Sequence, residues 1–151
     1  MFQRSVDTPL GRLVVREDKD HVTAVSWATA EHHDDTPVLR EAERQLEAYF
    51  RNELREFNLP LKPDGDAFQQ SVCDAMLAIP FGQTREYGEI ARDLDSMPQP
   101  VGNACGRNSI PVIIPCHRVV GASGLGGFSA PGGVETKVAL LKHEGAYGLL
   151  I

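Results

Sequence analysis

One segment limits what this chain can fold into more than any other: Ile113-Ile114-Pro115-Cys116-His117-Arg118-Val119-Val120. Proline has no amide hydrogen to give a sheet ladder, so a run flanked by Pro111 and Pro115 does not read as a central strand. Cys116 therefore falls on irregular backbone, walled by apolar side chains, with one possible base (His117) and one fixed cation (Arg118) beside it. A free cysteine is most often a small buried hydrophobe, so core packing stays open as the plain alternative. The placement favours a reactive thiol, whose ordinary pKa of roughly 8.5 falls when a neighbouring cation or histidine stabilises the thiolate.

Adjacent side chains in an extended segment point to opposite sides, so Cys116 and His117 are expected to communicate through a water. Glu144 stands at the negative end of the last helix, where a carboxylate is disfavoured unless something holds it. A protonatable histidine is such a partner, and Glu144 is a candidate to orient His117 in a nucleophile, base and orienter arrangement. A surface carboxylate is the alternative.

The remaining composition bounds the surroundings of that thiol. Cys73, Cys105 and Cys116 form no CxxC pair, and an odd count reads as free thiols in a reducing compartment. Neither end carries a leader-like or spanning apolar stretch, so no membrane contact and a cytoplasmic location are expected. His32-His33 sits in a polar run without a nearby cysteine and reads as a solvated loop, so no metal is expected there. A formal net charge of -6 argues against a strong nonspecific binder of polyanions. The excess acid lies before Gly82, and acidic and basic side chains balance after it. A nucleic-acid partner would therefore meet a local face of the later part, with modest, salt-sensitive binding.

In chain order, residues 2–27 read as a strand hairpin or meander with turns at Thr8-Pro9-Leu10-Gly11 and Asp18-Lys19-Asp20. Leu39, Ala42, Leu46, Tyr49 and Phe50 then fall at helical spacing. The best linker is 58–65, dividing a small N-terminal α/β domain (1–62) from a mainly helical C-terminal domain (66–151), an α+β class. A helix is expected from near Asp66 to before Pro80, with Cys73 in its core stripe. A helix-turn-helix follows: Thr84 as N-cap, Tyr87, Ile90, Ala91 and Leu94 inward, a turn at Asp95-Ser96-Met97, and Pro98 and Pro100 in the first turn of the second helix. An ordinary helical hairpin is the commoner case for that pattern. Here the second helix carries Gly102, Asn103, Ala104, Cys105 and Gly106, all short, which lets it approach another surface closely with little to read a base edge. A glycine-dense loop (121–129) and a last helix (134–144, stopped by Gly145, packing through Val138, Leu140 and Leu141) complete the chain.

Pro115-Cys116-His117-Arg118-Val119, preceded by Asn108 and Tyr87 and followed by His143-Glu144-Gly145, resembles the O6-alkylguanine-DNA alkyltransferases (methylated-DNA–protein-cysteine methyltransferases) from about Phe68 to Gly145. The resemblance implies a DNA repair protein that moves an alkyl group from guanine O6 to its own cysteine, irreversibly and once per chain, as a monomer without cofactor. It implies Cys116 as acceptor, His117 with a water and Glu144 as the base system, and Asn108 as a brace. Tyr87 would meet the target phosphate and the flipped base, with Gly88 beside it. Gln99, Gly102 and Arg107 would face double-stranded DNA from the minor groove. The carbonyls of Cys116 and Val119 would accept from the guanine amino group, the Ser129 amide would meet O6, and Phe128 would wall the alkyl group. Gln99 stands where the family usually has arginine, and Phe128 where it often has tyrosine. Two other readings remain: a non-catalytic lesion-binding relative, though such relatives lack the acceptor cysteine, and a cysteine hydrolase, for which no clear oxyanion donor pair exists.

Overall fold

A computed structural model describes residues 1–128 and 130–148, and the chain divides into two compact units, Met1–Pro63 and Asp64–Ile151. In the first, β1 (Phe2–Thr8), β2 (Gly11–Asp18) and β3 (His21–Trp27) form an antiparallel meander. Lys19 and Asp20, both at positive φ, make the two-residue turn between β2 and β3 that suits the strand twist. Helix α1 (Pro37–Phe50) starts at Thr36, whose hydroxyl accepts from the Leu39 amide at 3.1 Å, and buries Leu39, Ala42, Leu46 and Tyr49. The start of the expected linker is not free chain. Leu61 bridges Val22 alongside β3, with Val22 N donating to Pro60 O at 2.8 Å and Lys62 N to Val22 O at 2.9 Å.

The second unit contains α2 (Ala67–Leu77), β4 (Arg85–Glu86), α3 (Tyr87–Asp93), α4 (Pro98–Gly106), β5 (Val119–Val120) and α5 (Val134–Glu144). Asp66 caps α2 by accepting from the Gln69 amide at 2.9 Å. The expected N-cap of α3, Thr84, is replaced by Glu86 in a capping box with Glu89. The reason is tertiary: Arg85 and Glu86 pair in parallel with Val119 and Val120, so the chain stays extended two residues longer. Asp95 at positive φ turns the chain, and Pro98 and Pro100 occupy the first turn of α4, where a missing amide costs nothing.

Cys116–Arg118 is not extended, as expected from sequence, but a single 3₁₀ turn in which Arg118 N donates to Pro115 O at 3.0 Å. α5 ends at Gly145 in the left-handed conformation. Its inward stripe is Lys137, Leu140, Leu141 and Glu144, while Val138 is only partly covered. Among the described residues no helix is long and apolar enough to cross a membrane.

Candidate active site

The 3₁₀ turn sets Cys116 and His117 on neighbouring corners rather than opposite faces. It is held from upstream by Asn108, whose amide nitrogen donates to Ile114 O at 2.9 Å while its oxygen accepts from Ile110 N at 3.0 Å. One short side chain thus closes the loop that aims Cys116. Downstream, α5 delivers Glu144, which is buried, not a surface carboxylate.

Glu144 is the hub. Its Oε2 faces His117 Nε2 at 2.8 Å and accepts from an Arg118 terminal nitrogen at 2.9 Å, while Oε1 accepts from Arg118 Nε at 2.9 Å. A further guanidinium nitrogen donates to Ile79 O at 2.6 Å. Burial alone would raise the Glu144 carboxyl, but the hydrogen bonds from His117 and Arg118 outweigh it and hold the group below the ordinary carboxylate range. An ionised Glu144 requires the proton on His117 Nε2 and leaves Nδ1 with its lone pair. That Nδ1 is enclosed without a protein partner. Burial holds His117 below its ordinary value, against the pull of Glu144, and so favours the neutral ring.

Cys116 lies 7% exposed at the floor of a cavity of about 410 Å³, with Tyr87, Gln99, Gly102, Cys105 and Phe128 among its walls. Burial pushes its thiol up to about 11, with the Asn108 side chain and the Lys137 charge opposing. The resting group is therefore a thiol, and a thiolate forms only when a base draws its proton.

Sequence reasoning missed Lys137. Fully buried, its Nζ donates to Val119 O at 2.6 Å and to Gly127 O at 3.3 Å, and lies 3.4 Å from the Tyr87 hydroxyl. Burial draws it down to about 8, opposed by Cys116 and Cys105. The signal was present: Lys137 is two helical turns before Glu144, on the same face. Arg118 was noticed only as a charge, although its bond to Glu144 is what its position beside His117 achieves.

Other sequence candidates are spread more widely. Tyr87, Gln99, Gly102 and Phe128 meet at the Cys116 cavity. Gly88 lies against Arg92 and Pro98, and Arg107 is exposed beside a separate concavity with Asp64, Asp66 and Gln69. The carbonyls of Cys116 and Val119 already accept, from Val119 N and from Lys137, so each has one lone pair left. Ser129 lies outside the described residues. No group of three or more His, Cys, Asp or Glu able to hold a metal occurs among the described residues.

The second unit is thus a helix-turn-helix whose small-faced second helix borders a buried thiol, with a buried histidine next to it in the chain. Comparison with known proteins gives that class its family. Residues 67–146 match the 6-O-methylguanine DNA methyltransferase DNA binding domain, and residues 1–63 its ribonuclease-like domain. The methylated-DNA–protein-cysteine methyltransferase of Methanosarcina acetivorans is 39% identical over 97% of this chain and 99% of its own length. The constitutive protein of that name from Bacillus subtilis is 38% identical over 95% and 94%. The crystal structure of the Mycobacterium tuberculosis O6-methylguanine methyltransferase gives a TM-score of 0.84 at 40% identity, covering 95% of this chain and 92% of that one. The same organism's protein has also been solved in complex with DNA, with a TM-score of 0.83. This chain belongs to the methylated-DNA–protein-cysteine methyltransferase family.

Proposed function

We propose that the protein repairs O6-alkylguanine in double-stranded DNA by taking the alkyl group onto Cys116, irreversibly and once per chain. The observation that carries this is the His117–Glu144 pair at 2.8 Å next to a buried thiol that is neutral at rest. Such a thiol needs a base, and His117 Nδ1 is the unengaged lone pair beside it.

His117 draws the Cys116 proton through one water. The sulfur attacks the alkyl carbon, a new C–S bond forms, and the C–O bond breaks with its electron pair on guanine. The proton that left the thiol ends on the base, so His117 returns to neutral. Lys137 places a buried positive charge near the sulfur as it ionises, where low dielectric makes it count. Glu144, itself held by Arg118, keeps the histidine tautomer fixed throughout.

Cys116 lies at the floor of its pocket, so a base inside a duplex cannot reach it. The target nucleotide leaves the stack, at a cost of a few kcal/mol that weakened pairing reduces. The small residues of α4 allow close approach from the minor groove, with Gln99 at the cavity rim to hydrogen-bond the base left behind. Each chain holds a complete pocket, so a monomer suffices. The non-catalytic reading is disfavoured by the presence of Cys116 with its base.

The test is incubation with a duplex containing one O6-methylguanine, followed by tryptic mass mapping. One methyl group is expected on peptide 108–118, at Cys116, and none with Cys116→Ala. Binding of the duplex with Cys116 left unmodified would favour the lesion-binding alternative.

A further inference from the structure

The cavity carries a second thiol that methyl transfer leaves unused. Cys105, near the end of α4, lines the same space as Cys116, and the two are nearly equally covered, at 8% and 7% exposed. Cys73 is different: it is 1% exposed, takes the Gln69 amide at 3.9 Å and does not line the cavity. Tyr87 lines that cavity as well, and Lys137 lies within electrostatic range of both thiols, so a group transferred to Cys116 comes to rest in a space that Cys105 shares. A methyl group left there is inert. A two-carbon group ending in a leaving group is not.

We propose that Cys105 is a second acceptor for bifunctional lesions, so that a 2-haloethyl group taken from guanine O6 ends as a thioether bridge, Cys116–CH₂–CH₂–Cys105. This rests on the alkyl transfer proposed above. In the first step the Cys116 sulfur bonds the carbon attached to O6, the C–O bond breaks, and guanine keeps the electron pair and receives the thiol proton. In the second, the new thioether sulfur displaces halide from the far carbon, giving a strained cyclic sulfonium. The Cys105 sulfur opens that ring at carbon and its proton leaves to solvent, so the net loss is one hydrogen halide. No oxidant, reductant or cofactor enters.

Three features favour Cys105 over its neighbours. Sulfur is intrinsically the stronger nucleophile at carbon. Lys137 already gives its hydrogens to the carbonyls of Val119 and Gly127, and burial pushes the Tyr87 phenol and the Cys105 thiol alike up to about 12, so between those two the greater nucleophilicity of sulfur decides. The burial that raises both thiols also limits the water that would otherwise hydrolyse the sulfonium. A two-carbon tether also spans a wider range of sulfur positions than a disulfide, whose Cβ atoms must lie about 3.8 Å apart.

The test uses the full chain and two duplexes, one containing O6-methylguanine and one freshly chloroethylated at guanine O6 and freed of reagent. Trypsin cuts after Arg92, Arg107 and Arg118, so the two thiols fall on separate peptides, 93–107 and 108–118. The chloroethylated duplex is expected to yield these peptides joined by two carbons in most alkylated chains. Cys105→Ser and Cys105→Ala should instead carry a hydroxyethyl or chloroethyl group on peptide 108–118, with no joined product. Yields are read as fractions of alkylated protein, so a slower first step in either variant does not alter the outcome. Wild-type chains alkylated on Cys116 alone, with Cys105 still open to iodoacetamide after unfolding, would overturn the bridge. So would Cys116 joined to DNA. Methyl transfer without a bridge removes only this inference, whereas failure of methyl transfer removes the repair reading and the bridge with it.

Discussion

Replacing Glu144 with glutamine separates the two duties of the hub. The amide keeps the shape and removes the charge that two Arg118 bonds of 2.9 Å and the 2.8 Å His117 contact converge on. Arg118, 6% exposed, is left with the Ile79 carbonyl and without its carboxylate. Removing one partner of a buried pair costs about 3–5 kcal/mol, and the retained Ile79 bond places this case at about 3 kcal/mol in urea unfolding. The glutamine amide can also donate to His117 Nε2, moving the ring proton to Nδ1 and abolishing the lone pair that serves Cys116. General-base catalysis contributes about 10²–10⁴-fold, so a fall of at least about 10²-fold in single-turnover methyl transfer is expected. The assay follows labelled methyl from an O6-methylguanine duplex, at a temperature where unfolding curves show the variant folded. A folded variant transferring within about twofold of wild type would refute the proton route through His117. Unchanged stability would refute the weight given to the ion pair.

Stability should also depend on pH in a defined direction. His117 is held below 6.5 and Glu144 below 4.5, so in each window the unfolded chain binds more protons than the folded one. Urea midpoints should fall as pH drops below about 6.5 and fall further below about 4.5, and a flat profile from neutral to acid would contradict both assignments. Lys137→Met removes the cation that opposes the raised Cys116 thiol. It should slow transfer about tenfold, equivalent to about 1.4 kcal/mol, and move the onset of iodoacetamide reaction at Cys116 to higher pH; an unmoved onset would separate Lys137 from the thiol. Asn108→Ala orphans the Ile110 amide and leaves the Ile114 carbonyl with Cys116 N alone, and should cost about 1–3 kcal/mol in urea unfolding, with slower transfer because the Cys116 turn loosens. Unaltered stability and rate would show that the loop holds without it.

Much of this architecture was legible because it is written in local signals. The meander follows from alternating strands and its turn residues, α1 from the apolar spacing of Leu39, Ala42, Leu46 and Tyr49, and α5 from its stripe and the Gly145 stop. Pro111 and Pro115 told correctly that the Cys116 segment is no central strand. What escaped notice depends on distant partners. Glu86 displaces Thr84 as the α3 cap because β4 pairs with β5, a contact more than thirty residues away in the chain that no local pattern records. Leu61 joins Val22 for the same kind of reason.

At the site, Cys116, His117 and Glu144 were read together and lie together, with the histidine's orientation now given by the 3₁₀ turn. Lys137 was passed over because a lysine is read as solvated. It is buried because the Val119 and Gly127 carbonyls receive its hydrogens. In the sequence Cys105 reads as a free thiol on a short-faced helix, with nothing local to join it to the acceptor, and the structure turns it into the same cavity as Cys116.

The most direct test of a one-use acceptor is a titration. A fixed amount of protein is mixed with increasing labelled O6-methylguanine duplex, and protein-bound methyl is counted to completion. Transfer should rise with the duplex and stop at one methyl per chain, all of it on Cys116, with no further release of repaired DNA. Continued turnover past that point, or a plateau reached with the methyl on another residue, would contradict the assignment of Cys116 as an irreversible acceptor.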